Sequence, residues 1–154
     1  MRFFVIKDIR KHASMRYLLT FLLSLMMLSL VSHLLLYGWK YGWNPESVLA
    51  TIMGNEELFI EPLPFEEILL QVHTNLFFIV IVLSIIAASF IRLYEKRNKY
   101  IHLLFITALF SQMFFLAIPL WGLGGVFAWA ICEVFWHLVA FYMAAKTVWG
   151  LNFS

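Results

Sequence analysis

Residues 101–145 read IHLLFITALFSQMFFLAIPLWGLGGVFAWAICEVFWHLVAFYMAA. Two runs with almost no charge, 101–121 and 126–145, are separated by Trp121-Gly122-Leu123-Gly124-Gly125. About 30 Å of hydrocarbon is crossed by about 20 helical residues at about 1.5 Å each, so either run is long enough for one span. Glycine tolerates the positive φ of a tight reversal, and the pair therefore predicts a helical hairpin. Two further runs of the same kind, 17–39 and 68–91, lie upstream. The expected fold is an all-α integral membrane protein, a four-transmembrane-helix bundle running up-down-up-down.

Composition leads the same way. With 63% hydrophobic and 13% charged residues, the 154-residue chain has too little polar surface to coat a water-soluble globule. Its net charge of +2 conceals a segregation along the sequence. Arg2, Lys7, Arg10, Lys11 and Arg16 precede the first span, Arg92, Lys96, Arg97 and Lys99 fill the loop at 92–100, and Lys146 follows the fourth span. Lys40 alone falls on the other side, so the positive-inside rule predicts cytoplasmic N and C termini, with a bacterial inner membrane as the expected location. Residues 1–16 read as a basic interfacial segment and 146–154 as a cytoplasmic tail. The first span is too long for a secretory signal and lacks a small-x-small cleavage site, which makes it an expected anchor.

The connection at 40–67 carries Glu46, Glu56, Glu57, Glu61, Glu66 and Glu67 and reads as an acidic external loop. Within it, Asn44-Pro45-Glu46 has the chemistry of an N-cap, an N1 proline and an acidic first turn, and Gly54 that of a stop. A short interfacial helix is predicted at 45–53.

An ionisable group in hydrocarbon costs several kcal/mol unless it is paired, hydrated or bound, so each one inside a span is a candidate for function. His33, His73, Gln112, Glu133 and His137 fall at similar depth below the external side, on four different spans. Glu133 and His137 are spaced i,i+4 and share a face with Ala130, Ala140 and Ala144, small residues of the kind that mark close helix packing. His33 stacks over Ser29 and Met26, and His73 shares a stripe with Val80, Ser84 and Ala87. These faces are expected to converge, with His33, His73, Glu133 and His137 as ligands and Gln112 and Ser29 as polar support. Each residue also has a purely structural reading, as an interhelical hydrogen bond worth roughly 0.6 kcal/mol. His12 and His102, near the cytoplasmic side, carry no expected role. Trp129 and Trp136 read as packing residues within the fourth span.

Histidines on facing membrane helices are suited to a bis-histidine haem. In architecture the chain resembles small four-helix membrane-bound cytochromes of the b type. That resemblance implies haem b held by two of His33, His73 and His137, exchanging electrons with quinol or with a membrane or periplasmic protein subunit. The same residues suit a non-haem iron, copper or zinc ion. A third reading is an accessory subunit of a larger complex whose polar groups form a hydrogen-bond network. The lone Cys132 excludes thiol-disulfide redox within one chain, the spans hold no lysine for Schiff-base chemistry, and a phosphate-binding loop is missing. Nothing in the sequence points to nucleic acid.

Overall fold

The computed structural model describes residues 11–94 and 98–153. The predicted basic segment at 1–16 and the loop at 92–100 lie partly outside them. The chain forms α1 (Ala13–Tyr41), α2 (Pro45–Met53), α3 (Phe65–Leu93), α4 (Asn98–Trp121) and α5 (Leu123–Asn152), with a 3₁₀ turn at Glu56–Leu58. Among the described residues there is no strand, only an isolated bridge between Asn55 and Ile60. Four helices, all but α2, are long and apolar enough to cross a membrane. Their outer faces carry exposed Leu, Phe, Ile, Val and Trp side chains, among them Leu28, Leu36, Phe77, Ile131 and Leu138. Such a coat suits contact with lipid rather than water.

Local chemistry explains where the helices start and stop. At the start of α2, Asn44 accepts from the Ser47 amide at 2.7 Å, and Ser47 in turn accepts from the Asn44 amide, a reciprocal capping box with Pro45 in the first turn. Val48 and Ile52 are the buried face of α2. They join Tyr37, Tyr41, Ile68, Phe115, Ile118, Val126 and Trp129 in a core that closes one end of the bundle. Between α4 and α5 the chain reverses through Gly122, whose φ of 54° is in the left-handed region. Three residues on, a Cβ at Gly125 would lie 3.0 Å from the Ile118 Cα, so the two backbones meet there too closely for a side chain. The rest of the interior is an apolar core of Leu23, Leu83, Ile86, Phe90, Leu104, Ala140, Met143 and Ala144, with partners from all four long helices.

The helices run longer than their apolar cores suggest. The fourth continues past Ala145 to Asn152, so residues 146–152 are its final turns and not a tail. Lys146 does not end it because the long stem lets the ammonium reach the Tyr142 hydroxyl at 3.0 Å and the face of Tyr94. Thr147, Gly150 and Leu151 are buried, and Asn152 donates to the Thr20 hydroxyl of α1 at 3.0 Å.

Candidate metal centre

The buried polar side chains gather between the two cores. On α5, Glu133, Trp136 and His137 all face inward, at 2%, 0% and 4% exposure. Among the described residues Glu133 is the one buried acid or base apart from histidine. His137 Nδ1 lies 2.7 Å from the Glu133 backbone carbonyl, an atom that only accepts, so Nδ1 carries the hydrogen and Nε2 keeps its lone pair. Glu133 Oε2 accepts from the Trp136 indole at 3.1 Å and from Gln112 Nε2 at 3.4 Å. Its second oxygen, Oε1, is buried with no hydrogen-bond partner.

What faces Oε1 is imidazole. His33, from α1, places Nδ1 at 3.5 Å from Glu133 Oε1 and at 3.3 Å from His137 Nε2. The other ring nitrogen of His33, Nε2, points to Asn75 Oδ1 at 3.5 Å. The orientation of Asn75 follows from its neighbours: Oδ1 accepts from Gln71 Nε2 at 2.9 Å, and Nδ2 donates to Gln112 Oε1 at 3.1 Å and to the Tyr37 hydroxyl. His33 Nε2 stands 3.5 Å from that acceptor and His33 Nδ1 stands 3.3 Å from the His137 Nε2 lone pair, so either nitrogen of His33 can carry its hydrogen. With the hydrogen on Nε2, the lone pair of His33 Nδ1 meets that of His137 Nε2 at one buried spot, and Glu133 Oε1 lies 3.5 Å from His33 Nδ1 and 3.7 Å from His137 Nδ1. Such a cluster repels itself unless a proton or a metal cation lies between.

The spacing fits a metal ion. One ligand atom from each of His33, Glu133 and His137 lies within 4.8 Å of the others. A tetrahedral ion about 2.0–2.1 Å from its donors holds them about 3.3 Å apart. The imidazole nitrogens stand at 3.3 Å, and Glu133 Oε1 lies 3.5 Å from that of His33. The surroundings hold the ligands as outer-shell partners do in metal sites: the carbonyl fixes His137, Trp136 and Gln112 fix Glu133, and Asn75 fixes His33. Behind them a polar chain reaches the α2 end, where Lys40 Nζ donates to Gln71 Oε1 at 2.9 Å and lies 3.5 Å from Glu67.

Of the residues expected to converge, the structure brings together His33, Gln112, Glu133 and His137. It leaves out His73, which is exposed on α3. The inward stripe of that helix is Ile68, Val72, Asn75, Ile79, Val82 and Ile86, and His73 is rotated about 200° from Asn75. A stripe of large aliphatic side chains buries more area than one of Val80, Ser84 and Ala87, of which only Ala87 is buried, and it decided which way α3 turned. Ser29 lines a groove beside the centre and does not support it directly. Sequence reasoning missed Asn75, Tyr37 and the indole of Trp136. The signal was present for Asn75, a carboxamide set in register with that aliphatic stripe.

The haem expectation finds no support in this geometry. A porphyrin disc needs a clear plane around the iron between two opposed histidines. Here the Glu133 carboxylate occupies that space, the Trp136 ring lies 3.6 Å from that of His137, and Phe78 packs on His33 at 4.7 Å. No protein-family profile matches the chain, and no curated protein or solved structure is significantly similar to it.

Proposed function

We propose that this is a small integral membrane metalloprotein that binds one transition-metal ion through His33 Nδ1, His137 Nε2 and Glu133. The observation that carries this reading is the buried, unpartnered Glu133 Oε1 facing two imidazoles. Two histidines and one carboxylate form the donor set of non-haem Fe(II) sites, and also of zinc sites that keep an open position. Three protein ligands leave at least one position free, which suits chemistry or electron exchange more than a structural role. The set lacks sulfur and the fourth protein ligand typical of structural zinc, which narrows the ion to non-haem iron or to zinc with an open position.

The distribution of Lys and Arg supports an orientation with the α2 end outside. The centre then lies in the external half of the membrane, within reach of a periplasmic or membrane partner, and the protein acts as a redox subunit of a larger assembly. Metal analysis of the protein purified without chelators tests the reading. About one ion per chain is expected, lost in Glu133→Gln and in His137→Ala and retained in His73→Ala. A parent that stays metal-free after exposure to Fe(II), Cu(II) and Zn(II) removes the metal centre and leaves a hydrogen-bond network.

A further inference from the structure

A line of hydrogen bonds crosses the bundle from its surface to Glu133, and every bond in it points the same way. Lys40 Nζ, in the last turn of α1, donates to Gln71 Oε1 at 2.9 Å. Gln71 Nε2 donates to Asn75 Oδ1 at 2.9 Å, Asn75 Nδ2 to Gln112 Oε1 at 3.1 Å, and Gln112 Nε2 to Glu133 Oε2 at 3.4 Å. The two ends dictate this sense. An ammonium only donates and a carboxylate only accepts, so each carboxamide between them turns its oxygen toward Lys40 and its nitrogen toward Glu133. The branches agree: Asn75 Nδ2 also donates to the Tyr37 hydroxyl, and Gln112 Nε2 to Ser111 Oγ at 3.1 Å.

Three amide dipoles are thereby aligned head to tail, with their positive ends directed at Glu133, as peptide dipoles are at a helix N-terminus that favours an anion. Asn75, Gln112 and Glu133 are buried, so little water screens them and the bonds polarise one another. Only the first link meets the medium. There Lys40 and Glu67 are partly exposed and lie 3.5 Å apart. On the other side of the centre, the inward face of α5 continues from His137 into the apolar core with Ala140, Met143 and Ala144.

We propose that Lys40 and Gln71 are positioning residues for the centre: from the α2 end they hold the three carboxamides in one sense, and so hold Glu133 as the anion that receives a cation. What the carboxylate binds rests on the metal reading; the sense of the chain does not.

Substitutions at the outer end separate this role from a plain tie between α1 and α3. Gln71→Glu keeps the shape and the bond to Lys40 but cannot donate onward, so Asn75 and Gln112 must turn round and bring a carbonyl oxygen to Glu133. Gln71→Leu deletes the link without adding charge, Lys40→Met removes the cation, and Lys40→Arg restores it. The full chain in phosphatidylcholine nanodiscs is measured metal-free at one fixed pH by infrared spectroscopy, for the protonated-carboxyl band that Glu133→Gln abolishes, and then by chelator competition with Zn(II) and Fe(II). That band should grow in Gln71→Glu, Gln71→Leu and Lys40→Met and return to the parent level in Lys40→Arg. Metal affinity should fall about tenfold or more in the same three variants and recover in the fourth. Unchanged helix content by circular dichroism shows that they fold. A band equal in the parent, Lys40→Met and Gln71→Glu overturns the positioning role, whatever the metal does. Affinity lowered by Lys40→Met but not by Gln71→Glu marks a plain tie between helices and overturns it too. A parent that binds neither metal, with a band that still grows in the variants, leaves the chain standing and removes the metal centre.

Discussion

α5 and α1 both contribute side chains to the candidate centre, yet they are built into the bundle very differently. α5 buries a continuous face that includes Val126, Trp129, Glu133, Trp136, Ala140, Met143, Ala144 and Leu151. α1, nearly as long, buries only Leu23, Leu30, Tyr37, Gly38 and Tyr41. Small residues explain α5: alanines and Gly125 let its neighbours approach until backbones touch. α1 is leucine-rich on every side, and no single face outweighs the rest. One helix is therefore a scaffold that carries two ligands in a fixed relation. The other is anchored in the two cores by Leu23, Leu30, Tyr37 and Tyr41, and His33 and Tyr37 add its polar contacts.

The largest effect that separates the two should come from the α5 ligands. Glu133→Gln keeps the shape but removes the charge, and His137→Ala removes a donor. Each is expected to abolish metal binding, measured by metal analysis, while helix content by circular dichroism is unchanged. Retained metal in Glu133→Gln would break the model of a charged ligand. On α1, His33→Ala should also cost the metal, but with a second consequence. Amide hydrogen exchange should quicken along α1 and remain slow along α5, and equal effects on both helices would erase the contrast drawn here.

Next in size is the partner that orients His33. Asn75→Leu fits the apolar stripe of α3 and deletes the bonds to Gln112 and Tyr37. Outer-shell losses of this kind typically cost about 10–100-fold in metal affinity, readable by chelator competition. The scaffold itself is probed by Gly125→Val, which forces α4 and α5 apart at Ile118. Overpacking of this kind costs about 1–3 kcal/mol and should lower the thermal midpoint without changing metal stoichiometry. Smallest of all is His73→Ala: its side chain is exposed, and metal content and stability should both match the parent.

The helical spans and the α2 cap belong to the part of this protein that is written locally. Span length and apolarity respond to the thickness of hydrocarbon, and Asn44, Pro45 and Ser47 act on backbone groups one turn away. Glu133 and His137 could be paired from spacing alone, because i,i+4 residues share a helix face wherever the helix goes. Which face of α3 turns inward is a different kind of question. His73 and Asn75 are two residues apart and point nearly opposite ways, and only the packing of Ile68, Val72, Ile79 and Ile86 against the other helices chose Asn75. Depth along a span placed His33 level with Glu133, but the meeting of His33, His137 and Glu133 depends on the rotations of α1 and α5 and on the hydrogen bond that sets the His137 tautomer. Sequence by itself determined that the chain is a bundle of apolar helices with costly polar groups inside. Tertiary structure decided which of those groups meet, because helix rotation is set by the summed burial of whole faces, a quantity that no single span contains.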